Sequence, residues 1–101
     1  MNITSYELKA YDANSFYGKA QVWRKESKDH YIELLQSYKT DVCAIVDGEF
    51  QRFWPGYSAT TMRHINAFRR NHGLSALSKS EWISIPVLRF DWVSFYLGKT
   101  A

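Results

Sequence analysis

Hydrophobic and polar residues alternate along the first half of the chain, the pattern of strands that bury one face. The runs predict strands over Ser5–Tyr11, Phe16–Lys25, His30–Tyr38, Thr40–Val46 and Glu49–Trp54. Turn-forming residues separate these runs. The strongest turn signal is Asp47-Gly48, because this pair favours the positive φ angles of a two-residue hairpin. The sequence therefore predicts an antiparallel meander of about five strands.

The spacing of apolar residues changes near residue 58. Met62, Ile65 and Phe68 share a narrow arc at about 100° per residue, which is the apolar stripe of an amphipathic helix. Ser58 suits an N-cap and Gly73 suits the residue that ends a helix, so we expect a helix over about 58–72. Its solvent-facing side is expected to carry Arg63, Asn66, Ala67 and Arg70. The predicted fold class is α+β, a twisted antiparallel sheet with this one main helix packed on it.

The last quarter of the chain has weaker patterns. Ser78-Lys-Ser-Glu81 matches a capping box and predicts one short helical turn through Trp82. Ile83–Ile85 and Pro86–Leu97 look extended. Residues 1–101 are expected to form a single domain, because this length is typical of one unit with one core.

Charge is unevenly distributed along the chain. Residues 1–49 carry six Lys/Arg and eight Asp/Glu, a net charge of −2, whereas residues 50–80 carry five Lys/Arg and no acid. Positive potential beside aromatic residues indicates an anionic partner. The alternative is a solvated helix face whose arginines complement the C-terminal end of the helix dipole. The sequence leaves both interpretations open.

The candidate binding residues surround the start of the helix and its exposed side. Trp54 and Tyr57 precede the helix N-terminus, where backbone N–H groups attract anions. Their rings could stack on unpaired bases, or they could wedge the helix against the sheet. The full set of candidates is Arg52, Trp54, Tyr57, Thr60, Arg63, His64 and Arg70.

The sequence carries no recognisable catalytic or metal-binding pattern. Cys43 lies in an apolar run and is expected to be buried and inert. His64 and His72 are eight residues apart, about 12 Å along a helix, which is too far for one metal ion. Metal, phosphate-loop and dinucleotide motifs do not occur. We therefore expect a protein that is not an enzyme and that uses neither cofactor nor metal.

The start of the chain lacks the basic and apolar regions of a signal peptide, and no apolar run approaches membrane-spanning length. The expected location is the cytoplasm, without a membrane partner.

Two motifs occur within residues 37–73: Ser37-Tyr-Lys-Thr40 and Tyr57-Ser-Ala-Thr-Thr-x-Arg-His-Ile-x-x-Phe68, with Ala44-Ile45 and Gly48 between them. In these positions the chain resembles a group of small uncharacterised proteins of bacteriophages and prophages. It implies a small accessory protein that binds stoichiometrically in the host cytoplasm, as inhibitors of host defence such as anti-CRISPR proteins do. The expected partner is a host protein or a nucleoprotein complex. The alternative function is a module that binds single-stranded DNA or RNA.

Overall fold

The structure is a computed structural model that describes residues 2–8, 18–28, 30–92 and 95. One antiparallel sheet holds five strands in chain order: β1 Asn2–Glu7, β2 Ala20–Glu26, β3 Tyr31–Ser37, β4 Thr40–Val46 and β5 Glu49–Arg52. Two helices follow, α1 Ala59–Asn71 and α2 Lys79–Ser84. The predicted α+β meander with one main helix is confirmed. The parts of the first two predicted strands that fall on residues 9–17 lie outside the described residues.

Two tight turns set the register of the central strands. Asp47 and Gly48 have φ angles of 51° and 88°, as predicted for an Asp-Gly hairpin, and β4 pairs with β5 up to the residues that flank them. Tyr38 and Lys39 form a similar turn between β3 and β4, with φ angles of 49° and 68°. The sequence does not indicate this second turn, because neither residue type favours positive φ.

Helix α1 packs its apolar stripe on one face of the sheet. Met62, Ile65 and Phe68 are at most 6% exposed and pack with Leu35 and Cys43 in the core. The predicted packing face and the predicted burial of Cys43 are therefore confirmed.

Both ends of α1 are capped as predicted. The Ser58 hydroxyl accepts a hydrogen bond from the Thr61 backbone at 3.0 Å, and Gly73 has a φ angle of 77°. The chain then turns back over α1. Ala67, which we expected at the surface, is only 4% exposed, because residues 74–77 return across that side of the helix and Leu77 packs against the core.

Helix α2 is longer than the predicted turn. Ser78 and Glu81 form the predicted capping box, with backbone-to-side-chain hydrogen bonds of 2.9 and 3.2 Å. The fully buried Trp82 anchors the helix, since its indole N–H donates to the Gly56 carbonyl at 2.9 Å. The prediction that residues 83 and 84 are extended is wrong, because this cap and anchor carry the helix through them.

Three aromatic residues at the end of the described part of the chain cover the second face of the sheet. Phe90, Trp92 and Phe95 pack together with Ile32 and Leu34. The Phe95 N–H donates to the Asp91 carbonyl at 3.0 Å, which is a helical turn, so the extended run predicted over Pro86–Leu97 is wrong here. Residues three apart share a helix face but lie on opposite sides of a strand. The turn therefore directs Trp92 and Phe95 at the same sheet face. Residues 93, 94, 96 and 97 lie outside the described part.

Candidate functional site

A groove with a cationic rim and an apolar floor lies between α1 and the chain that leads into α2. Its volume is about 310 Å³. The exposed rim residues are Tyr57, Arg63, Arg70 and Lys79, and the more buried floor residues are Met62, Ala67 and Leu77. Among the described residues, no Asp or Glu lines it. This opening is the cationic groove. It brings three cationic side chains and one aromatic ring together.

The helical repeat places one wall of the groove. Arg63 and Arg70 are seven residues apart on α1, close to two turns and about 10.5 Å along the axis. Between them, Asn66 fixes the opposite wall. Its side-chain amide donates to the Leu77 carbonyl at 3.1 Å and accepts from the Leu77 N–H at 2.8 Å. Asn66 therefore sets the width of the groove, a role that the sequence did not reveal.

Tyr57 and Lys79 close the groove at the N-terminal end of α1. The Lys79 ammonium lies 4.8 Å from the centroid of the Tyr57 ring, within reach of a cation–π contact. Tyr57 is 41% exposed, so its ring is at the surface. Lys79 was not among the sequence candidates, because its place beside Tyr57 depends on how α2 docks on the sheet.

Two further candidates lie outside the groove. Trp54 is half-buried and packs against the core. Its ring covers Gly56, where an added Cβ would come within 2.6 Å of the indole, so only glycine fits without a shift. Thr60 is exposed in the first turn of α1 but does not line the groove.

Arg52 and His64 are buried in the framework of the fold. Arg52 is 4% exposed, and its guanidinium donates to the carbonyls of Trp54, Pro55, Trp82, Ile83 and Ile85 at 2.9–3.1 Å. His64 is 2% exposed, and its Nδ1 lies 2.8 Å from the Ser37 hydroxyl. Burial lowers the pKa of His64, and the nearby cations Arg63 and Lys19 act in the same direction. Both residues hold elements together and present no recognition surface.

A buried carboxylate ties the C-terminal end of α1 to the sheet. Glu33 is 2% exposed; Tyr6 donates to its Oε1 at 2.6 Å, and the His72 Nε2 lies against its Oε2. Burial raises the pKa of Tyr6, and the hydrogen bond to Glu33 raises it further. The sequence patterns did not indicate this cluster. The feature of the sequence that could have revealed this cluster is a charged residue, Glu33, inside the apolar run Ile32–Leu35.

Across residues 2–8, 18–28, 30–92 and 95, no three His, Cys, Asp or Glu side chains come close enough to hold a metal ion. In the same ranges, no helix is long and apolar enough to cross a membrane.

Comparison with known proteins identifies the family of this chain. No curated protein and no solved structure matches this chain. Residues 3–84 match a family of unknown function, and this range includes all of the sheet except Asn2, both helices and every described residue that lines the cationic groove. The chain belongs to that family, DUF8033.

Proposed function

We propose that this protein acts by stoichiometric binding and not by catalysis, and that the cationic groove recognises an acidic segment of a partner protein. The observation that carries the proposal is the convergence of Arg63, Arg70 and Lys79 on one groove that no described acidic residue lines. Such a surface attracts carboxylates and disfavours basic partners.

The size of the groove supports a peptide segment as the occupant. A volume of about 310 Å³ is at the lower end of the range of ligand pockets, so it holds a few side chains. The floor of Met62, Ala67 and Leu77 suits the methylene stems of Glu or Asp side chains, whose carboxylates would then reach the rim.

The resemblance to phage and prophage proteins suggests the biological setting. Tyr57, Arg63 and Arg70 of the groove fall inside the resembling segment of residues 37–73. We therefore propose a phage-type accessory protein in the host cytoplasm. Its target would be a host protein or a nucleoprotein complex, and its role would be inhibition of host defence, as anti-CRISPR proteins do.

Binding of single-stranded DNA or RNA is the second candidate function. The exposed Tyr57 ring beside Lys79 favours it, because aromatic rings and cations together bind unpaired nucleotides. Three phosphate contacts would give log K a slope of about −2 against log salt. This slope is a quantitative signature that distinguishes the second function from the first.

The test compares two variants that lose the same charge. Arg63→Gln/Arg70→Gln changes the groove, whereas Lys28→Gln/Arg89→Gln changes exposed cations outside it. Circular dichroism first confirms that both fold. Binding to single-stranded DNA, to RNA and to a host lysate is then measured, and we expect only the groove variant to lose a lysate partner.

Two other outcomes carry a clear meaning. If the groove variant loses nucleic-acid binding alone, with a salt slope near −2 in the wild type, the second function is supported. If the groove variant binds every partner as the wild type does, the groove is not a recognition site and the proposal is wrong.

A further inference from the structure

An exposed apolar shelf continues the cationic groove along α2. Its centre is Ile83, which is 51% exposed, and the small residues Ser78, Ser80 and Ser84 surround it. Lys79 lines both the groove and the shelf. Lys79 and Ile83 are four residues apart and therefore lie on the same side of the helix. A charged surface and an apolar surface thus meet at one lysine.

The fold holds Ile83 at the surface. The neighbouring Trp82 is fully buried and is bonded through its indole to Gly56. Arg52 holds the end of α2 by donating to the Trp82 and Ile83 carbonyls. The buried Trp82 indole and the carbonyls at the end of α2 therefore fix the orientation of the helix. Rotation of α2 to bury Ile83 would break these contacts.

We infer that the cationic groove and the Ile83 shelf form one docking surface, and that it takes an acidic peptide segment with an apolar residue beside its carboxylates. This inference rests on the proposed function and extends it. The carboxylates would lie among Arg63, Arg70 and Lys79, and the apolar side chain would cover Ile83. An apolar side chain gains from this contact by leaving water, whereas a polar one would lose its hydration there.

Charge complementarity favours this occupant over a nucleic acid. A nucleic-acid strand would carry phosphates across the shelf as well as through the groove, and Lys79 is the one cation among the described residues that line the shelf. A peptide can place charged and apolar side chains separately, which matches the division of this surface.

The test uses two short fluorescent peptides and the chain of residues 1–101. One peptide contains only Glu and Ser, and the other is identical except that Leu replaces one Ser beside a Glu. We expect the Leu peptide to bind wild-type protein about tenfold more tightly, because even partial burial of a Leu side chain has this effect. Ile83→Ser should remove this gain, so that the variant binds both peptides with the same affinity. Leu88→Ser is the matched control, since Leu88 is similarly exposed but does not line the shelf.

The outcomes distinguish a failure of the Ile83 shelf from a failure of the proposed function. Equal affinity for both peptides, or an equal loss with Ile83→Ser and Leu88→Ser, overturns the shelf and leaves the groove. If Arg63→Gln/Arg70→Gln binds both peptides as the wild type does, the proposed function itself fails. If wild type binds neither peptide, or binds an oligo(dT) strand more tightly than both, the acidic-segment occupant is wrong. Circular dichroism of each variant confirms folding before binding is measured.

Discussion

Replacing Arg52 by methionine tests how α2 is held on the sheet. The guanidinium of this buried side chain contacts five carbonyl oxygens, and three of them belong to residues at the C-terminal end of α2. Its central carbon also lies 4.5 Å from the Trp82 ring. Methionine keeps an apolar stem of similar length but removes the charge and every donor, so the substitution isolates the polar contacts.

The size of the effect follows from two opposing contributions, the lost hydrogen bonds and the recovered cost of desolvating a charge. A hydrogen bond that involves a charged group stabilises by about 1.5–3 kcal/mol. The five contacts are not independent, because Nη1 has two hydrogens for three carbonyls. Removing a buried charge also recovers several kcal/mol of desolvation. We therefore expect Arg52→Met to lower the free energy of unfolding by about 3–5 kcal/mol.

Urea titration followed by circular dichroism measures this loss. Arg52→Lys should give an intermediate loss, since an ammonium has three donors and lacks the planar fork of a guanidinium. Arg89→Met is the control at an exposed arginine and should change stability by less than about 0.5 kcal/mol. A cost below about 1 kcal/mol for Arg52→Met would show that α2 docks without this side chain, and Arg52 would return to the list of candidate binding residues.

Four further predictions follow from single side chains. Phe68→Ala should cost about 3–5 kcal/mol in denaturant titration, because the ring is fully buried; a loss below about 1 kcal/mol would contradict the packing of α1. Cys43 should resist a thiol reagent in the native protein, since burial raises the pKa of its thiol, and labelling at the rate of the unfolded chain would refute this. Because burial lowers the pKa of His64 below 6.5, the unfolded chain binds a proton there more readily. The free energy of unfolding should therefore fall as the pH drops from about 7 to 5, and His64→Gln should reduce this slope; equal slopes would contradict the assignment. Lys79→Glu should stabilise α2 by about 0.3–1 kcal/mol through the helix dipole yet weaken binding of the acidic peptides, and unchanged peptide affinity would exclude Lys79 from the groove's function.

Local patterns predicted the elements well because the physics that forms them is local. Strand alternation, the Asp47-Gly48 turn and the capping box at Ser78 each depend on residues within a few positions of one another. The prediction of an extended run around Trp92 and Phe95 was wrong for the opposite reason. Its aromatic residues favour strands by propensity, but their conformation is set by the sheet face that they cover.

The candidate site was predicted in part, and the missing part is tertiary. Arg63 and Arg70 could be placed together because a helix face follows from sequence spacing. Lys79 could not, since it joins them only after α2 docks through Trp82. Arg52 looked like a surface cation, because nothing in a sequence shows that backbone carbonyls will surround a charge.

Residues 50–80 carry five cations and no acid. The two interpretations of this charge, recognition of an anion and complementarity to the helix dipole, apply to different residues. Arg52 is used inside the fold, and Arg69 packs its guanidinium 4.5 Å from the Phe50 ring. Complementarity to the helix dipole explains cations at Arg69 and Arg70, in the last turn of α1. It does not explain Lys79, which occupies the first position of α2, where the dipole disfavours a positive charge. Lys79 lies beside an exposed tyrosine and across the groove from two arginines, so the proposed recognition of an anion accounts for its position where complementarity to the helix dipole does not.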